Sequence, residues 1–192
     1  HRTGGRRKTE FLDGFLQPVE ADRQEPRGPN QKGQPVNFAD TNWLEAMFFQ
    51  LTDADKASRG ATVERFMRKQ GGQLGLSHVV YLEARNVFSR VTGETEPEEW
   101  RQLEQGFHGR FYLDPMNWDL LRRETFRLIG KYAHKQTLGT FDLAVLASAK
   151  LAGATRLLSF DEALKAIAVA EGLKVFPPLE REGKKLLARL RG

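Results

Sequence analysis

The sequence predicts an α/β fold in three layers, α/β/α, with a central and mostly parallel sheet of about five short strands. Three observations predict it. Short apolar runs alternate with amphipathic stretches of helical length from residue 36 to residue 178. Such alternation is how parallel strands joined by crossover helices read in sequence. Gly, Pro or acidic residues punctuate the boundaries between the runs. The composition, 40% hydrophobic and 29% charged over 192 residues, is that of one globular domain with a real core plus tails.

Taken in order, "VNFA" at residues 36–39 is a first buried strand, followed by a helix from about Asn42 to Gln50. A second helix covers roughly 54–70 and stops at Gly71-Gly72. "LGLS" is a short strand. The next helix places Val80, Ala84, Val87, Phe88 and Val91 on one stripe, as a core-facing helix requires. Pro97 opens another helix, where its missing N–H costs least. "RFYL" is a strand, 117–135 a long helix, and "TFDLAVLASAKLAGA" an Ala-rich buried helix with a Gly stop. "TRLLSF" is a strand, "DEALKAIAVAEG" a helix and "LKVF" the final strand.

Two tails flank this domain. Residues 17–35 are polar and rich in Pro and Gly, a linker composition. Before them, Phe11, Leu12, Phe15 and Leu16 fall on one side of a short amphipathic segment. The organisation is therefore an N-terminal extension at 1–35, a domain at 36–178 and a basic tail at 179–192. The tail, "REGKKLLARLRG", reads as a short amphipathic helix or a frayed end. A chain that opens on His1 is expected to have lost its natural start, with 1–35 native, borrowed from a partner or added.

Net charge is +5, and its location matters. Lys plus Arg against Asp plus Glu is 7 against 5 in residues 1–35, 18 against 18 in 36–178, and 5 against 2 in 179–192. A formally neutral domain is no polyanion binder by charge alone. Should several acids be sunk in a cleft and neutralised by a cation, the remaining surface becomes mildly basic. There is no cysteine, which removes disulfides and thiolate zinc sites and suits a reducing cytoplasm. No apolar run approaches the roughly 18 residues that span a bilayer, and no signal peptide is visible.

Ligands of such folds bind outside the carboxyl ends of the strands, and four acids emerge there. Asp40 directly follows "VNFA", and Asp161 follows "TRLLSF". Glu83 lies early in the helix after "LGLS" and off its apolar stripe. Asp142 lies in the first turn of the Ala-rich helix, with Thr140 as its expected cap. Each has a plainer reading: turn or cap acid for Asp40, dipole partner for Asp142, solvated residue for Glu83. Asp161 sits in "SFDE", where Ser159 and Glu162 match a capping box. Together the four would repel one another and lose hydration unless a cation sat among them. With oxygen ligands only, Mg²⁺ or Mn²⁺ suits the set better than zinc.

"FADTNWL", "YLEARNVF", "GTFDLAVLASAKLAGA" and "LLSFD" together resemble the PIN domain, and most closely the VapC-type ribonuclease toxins of bacterial toxin–antitoxin pairs. The resemblance spans about residues 36–176. It implies metal-binding, catalytic roles for Asp40, Glu83, Asp142 and Asp161, with Asn42 and Ser159 as supporting polar residues. One departure is Leu146, where many relatives carry a His. The resemblance implies metal-dependent hydrolysis of RNA phosphodiesters, an antitoxin partner, a homodimer and a cytoplasmic location. The N-terminal segment, with Arg6, Arg7 and Lys8 before its apolar residues, has two readings: an extension that packs only incidentally, or one that mimics or derives from an antitoxin tail and partly blocks the site.

Other residues carry less. His78, at the end of the second strand, lies near Glu83, although a structural role fits it best. Trp43, Trp100 and Trp118, with Phe48, Phe49, Phe111 and Tyr112, are expected in core or dimer packing before base stacking. Arg122, Arg123 and Arg127 share one helix and read as a solvated face before a phosphate patch. A phosphatase that starts from an aspartate after its first strand needs a second acid where Asn42 stands. A receiver domain needs a paired acid and a late Lys that are missing here. The remaining alternative is a PIN-fold RNA- or protein-binding module without catalytic activity.

Overall fold

Among the described residues all five strands are three residues long and pair in parallel, and their order places the first strand at the centre. The computed structural model describes residues 36–49, 54–69 and 73–192. In chain order the elements are β1 (Asn37–Ala39), α1 (Thr41–Phe48), α2 (Ala54–Lys69), β2 (Leu74–Leu76), α3 (His78–Thr92), α4 (Glu98–Gly106) and β3 (Phe111–Leu113). Then come α5 (Trp118–Tyr132), α6 (Thr140–Leu151), β4 (Arg156–Leu158), α7 (Glu162–Ala170), β5 (Lys174–Phe176) and α8 (Arg181–Arg191). The sheet order is β3-β2-β1-β4-β5. The chain builds outward from β1 through β2 to β3, then crosses to the other flank for β4 and β5. The order therefore reverses between β1 and β4, which opens a crevice at their carboxyl ends.

The inner strands β2, β1 and β4 are largely buried on both faces and read as continuous apolar runs, whereas the edge strands β3 and β5 are partly exposed. Their two-residue period still sorts side chains. Phe38 and Leu157 join one core cluster, with Leu128, Leu143, Leu164 and Ile167, while Ala39 and Leu158 join the other, with Trp43, Phe48, Phe88 and Phe111. The second cluster draws on α1 to α4 and the first on α5 to α8, which gives the α/β/α layering expected. Gly75 in β2 is required by that packing: a Cβ there would lie 2.7 Å from Cδ2 of Phe38, and an alanine would push that ring out of place.

Some expectations shift. Val80, Ala84, Val87 and Phe88 are buried as the stripe demands, but Val91 is exposed at the end of α3, where Gly93 closes the helix in the left-handed conformation at φ 73°. Trp43, Trp100, Phe48, Phe49 and Phe111 are core residues, whereas Trp118 at the start of α5 is 63% exposed. Residues 181–191 form a full helix on α7, with Leu186 and Leu190 buried. Both the amphipathic segment at 11–16 and the Gly71-Gly72 stop lie outside the described residues.

At the end of the sheet opposite the crevice, Glu171 ties three helices together. Its side chain is only 4% exposed. It accepts hydrogen bonds from Tyr132 Oη at 2.6 Å and Lys131 Nζ at 2.9 Å, and pairs also with Arg127 and Lys150. Burial raises its pKa, but the hydrogen bonds from Arg127, Lys150, Tyr132 and Lys131 together outweigh burial and hold it well below the ordinary carboxylate value. A carboxylate depressed in the folded state adds stability above its unfolded pKa of about 4.5, and that stability drains as pH falls below it. Glu171→Gln should therefore cost about 2 kcal/mol at pH 7, since it removes the charge from the hydrogen bonds that join the three helices, while Arg127 and Lys131 keep their access to water. The difference from wild type should shrink on acidification, as read by urea denaturation at pH 7 and pH 3.

Candidate functional site

The crevice between β1 and β4 is built from two tripeptide turns that grip each other. After Ala39 the chain leaves β1 as Asp40-Thr41-Asn42, and after Leu158 it leaves β4 as Ser159-Phe160-Asp161. Asp40 is the N-cap of α1 and is 5% exposed. Its Oδ1 accepts the Thr41 N–H at 2.7 Å. Its Oδ2 accepts Asn42 Nδ2 at 2.7 Å and the hydroxyl of fully buried Ser159 at 2.8 Å. Ser159 Oγ also accepts the Asp161 N–H at 3.0 Å, and Asn42 Oδ1 accepts the Phe160 N–H at 2.9 Å. Trp43 stacks on Phe160 with ring centroids 5.4 Å apart. Thus Asn42 and Ser159 bond to Asp40 and hold the two turns in register.

The remaining three acids reach the same edge by separate routes. Glu83, on the second turn of α3, accepts the Thr41 hydroxyl at 2.5 Å. Asp142, in the first turn of α6, accepts the Gly139 N–H at 3.0 Å. Gly139, not Thr140, is the N-cap of α6, and Thr140 is the first helical residue. Asp161 is itself the N-cap of α7, accepting the Leu164 N–H at 2.7 Å, so the capping role expected of Ser159 belongs to Asp161. The charges of Asp142 and Glu83 act on Asp40, and those of Asp161 and Glu83 act on Asp142. The four carboxylates share one electrostatic neighbourhood.

That neighbourhood is costly. Burial pushes the Asp40 carboxyl up to about 7, against the lowering bonds from Ser159 and Thr41, and Asp142 and Glu83 push it further. Burial also raises half-buried Asp142, against its bond from Gly139, with Asp161 and Glu83 adding to the rise. Among the described residues no three His, Cys, Asp or Glu side chains are grouped closely enough to hold a metal ion. Local bonds explain the spread: Glu83 leans to Thr41, Asp142 to Gly139 and Asp161 to the start of α7. The donor set nonetheless suits a hard divalent cation, being all oxygen, uncompensated and anchored by one buried carboxylate.

Two residues passed over in the sequence stand on this edge. Thr41 links the Asp40 cap to Glu83, a role no sequence signal marks. Asp114 directly follows β3, as Asp40 follows β1, and that shared pattern could have flagged it. Burial raises the Asp114 carboxyl, against a hydrogen bond from Tyr112 and the charge of His78. The charge of His78 thus acts on Asp114. On α5, Arg122 and Arg127 pair with Asp119 and Glu124 of their own helix, and Arg123 bonds the Asp119 carbonyl.

Residues 38–170 match the PIN domain family. The chain belongs to that family. PIN nucleases generally use divalent metals. Among solved structures, the chain is similar to VapC20 of Mycobacterium tuberculosis, described as a toxin that cleaves the sarcin–ricin loop. The TM-score is 0.51 at 17% identity, covering 69% of this chain and 95% of that one. This PIN chain matches no curated protein. No helix among the described residues is long and apolar enough to cross a membrane.

The raised pKa of Asp40 fixes the sign of a pH effect. Below about pH 3.8 the carboxyl is neutral in folded and unfolded chains alike; between there and 7 the folded chain holds the proton more tightly, so stability falls as pH rises. A shift of this size corresponds to a penalty on the order of 4 kcal/mol above pH 7. In chelator, Asp40→Asn should therefore stabilise the protein at pH 8 by about 2 kcal/mol, the reorientation of Ser159 and Asn42 offsetting part of the gain. Thermal melts of both proteins from pH 5 to pH 8 test this; an Asn variant less stable at pH 8 would mean that the carboxylate carries no net cost.

Proposed function

We propose that the protein is a Mg²⁺- or Mn²⁺-dependent endoribonuclease of VapC type, the toxin of a toxin–antitoxin pair. The observation that carries the reading is the anchored carboxylate Asp40 at the β1/β4 crevice, electrostatically joined to Glu83, Asp142 and Asp161. Membership of the PIN family supports it, as does the likeness of fold to a toxin described as cleaving the sarcin–ricin loop. RNA is the substrate class. An antitoxin and a second copy of the chain are the proposed protein partners, in the cytoplasm.

In this mechanism Asp40, Glu83, Asp142 and Asp161 would hold the cation. A divalent ion so held supplies an activated water and neutralises charge on the phosphate. The protein's own part is positional. Thr41 N–H, Asn42 and Ser159 fix the Asp40 carboxylate before any ligand arrives, so its orientation is already set. With its pKa raised to about 7, Asp40 would have to be deprotonated to hold a cation, so cation affinity should rise with pH through about 7. Like-charge repulsion among the four acids is relieved in the same event. Hydrolysis then breaks one P–O bond of the RNA backbone with water as the attacking group.

The alternative, a PIN-fold binding module without catalysis, draws on the spread of the carboxylates. One experiment separates the two. Purified protein should cleave structured RNA with Mg²⁺ or Mn²⁺ and not in chelator. Asp40→Asn and Asp142→Asn should each lower the rate by about a hundredfold or more while leaving the fold intact. Unchanged cleavage in the Asp40→Asn protein would refute the catalytic assignment, and RNA retention without cleavage by wild type would favour the binding module.

A further inference from the structure

We propose that the groove along the open edge of β5 is the docking site for the chain's own residues 9–22. Among the described residues β5 ends the sheet and pairs with β4 alone. Lys174 N–H bonds Thr155 and the Phe176 carbonyl accepts from Ser159, so the intervening Val175 presents its backbone groups to the open side. A groove of about 870 Å³ runs there, between α2 on one side and α8 on the other.

Its chemistry selects the occupant. Phe66, Val175, Leu179 and Leu187 form an apolar floor. Around them stand Arg65, Lys69, Arg156, Lys174 and Lys184, and no Asp or Glu is among the described lining residues. Arg156 rests over the Phe66 ring and bonds Asn37 Oδ1 at 3.3 Å. The other four have no ion-pair partner among the described residues. The two rings of the lining, Phe66 and Phe176, pack on each other with centroids 4.6 Å apart, Phe66 is buried, and Arg156 lies over it. The groove therefore offers no open platform for bases, and its apolar floor under cations fits an acidic amphipathic peptide. Residues 9–22, "TEFLDGFLQPVEAD", have this complementary character: Phe11, Leu12, Phe15 and Leu16 beside Glu10, Asp13, Glu20 and Asp22, with no Lys or Arg.

Covalent continuity favours this segment over any free peptide. Val36, where the described chain begins, lies beside the groove: its carbonyl accepts the N–H of Arg156, a groove residue, at 3.3 Å. Residues 23–35 intervene between the segment and that point, enough at roughly 3.3 Å each to reach any part of the groove. Tethering of this kind raises the local concentration of the segment to about the millimolar range. The groove flanks the strand edge and not the β1/β4 crevice, so docking there leaves the acid cluster open. This differs from the reading in which the extension blocks the site.

The absence of native cysteine makes disulfide trapping in the full chain a direct test. Gly14→Cys is paired with Leu187→Cys in the groove, with Val175→Cys as a second groove position should the first disturb folding. Control pairs are Gly14→Cys with Leu82→Cys on exposed α3 and with Phe141→Cys beside Asp142. The groove pairs should cross-link within one chain at least about tenfold faster than the controls. Reversing Lys69, Lys174 and Lys184 to Glu should abolish that advantage. Equal rates for all pairs, preference for the Phe141→Cys partner, or disulfides between chains would each overturn the proposal. So would protection of the groove lysines from acetylation by an oligoribonucleotide when the Phe11→Asp, Phe15→Asp variant leaves that protection unchanged.

Discussion

The burial of one carboxylate at the head of the central strand is the constraint around which the rest is arranged. Asp40 directly follows β1, the central strand of the sheet, and it is buried, so its carboxyl has little access to bulk water. It is tolerable there only because three donors converge on it: a backbone N–H, an amide and a hydroxyl. Two of those donors come from the tripeptide that begins α1 and the third from the turn after β4. The crossover that returns the chain from β3 to β4 must therefore deliver Ser159 to within hydrogen-bond reach of Asp40. The stacking of Trp43 on Phe160 and the Asn42 bond to the Phe160 N–H add redundancy to that register.

Two buried carboxylates at opposite ends of the sheet make the electrostatics instructive. Glu171 and Asp40 are both withdrawn from water, yet their pKa values move in opposite directions. Glu171 faces Arg127, Lys131 and Lys150. Asp40 faces other acids and only neutral donors. One end of the domain is thus a closed charge network that binds α5, α6 and α7 together. The other is left short of positive charge. Stability resides at the first end and unspent binding capacity at the second, the usual division between scaffold and site.

Most of the fold was legible because strand and helix alternate with clear breaks, and because buried parallel strands need no fine pattern beyond an apolar run. Elements were recovered with ends displaced by a few residues, as at 117–135 against Trp118–Tyr132. Val91 was misassigned since it sits in the last turn of α3, where the stripe runs off the core. The acids at strand ends were legible for a related reason: a polar residue straight after an apolar strand lies on the ligand-binding edge. What sequence could not supply were contacts made across the fold. The hydrogen bond of Thr41 to Glu83 spans 42 residues and that of Ser159 to Asp40 spans 119. The cap identities were also misread, because Thr140 and Ser159 are good capping residues that tertiary geometry bypassed in favour of Gly139 and Asp161.

The charge distribution bears on how a polyanion would approach the crevice. An edge carrying Asp40, Glu83, Asp142 and Asp161 repels phosphate unless those charges are neutralised. Two of the three arginines of α5 are already committed, Arg122 to Asp119 and Arg127 to Glu124, while Arg123 bonds a backbone carbonyl. The cations around the β5 groove stand at the sheet's side edge, away from the crevice. Attraction of an RNA backbone to this edge then depends on what the carboxylates themselves hold. On the proposed function, a protein arranged in this way would couple recruitment to loading, since the same cation would reverse the charge of the edge and supply the chemistry. On that proposal the neutral tally of 18 cationic against 18 acidic residues in 36–178 would misdescribe the surface an RNA meets, because a bound cation would offset the charge of four of those acids.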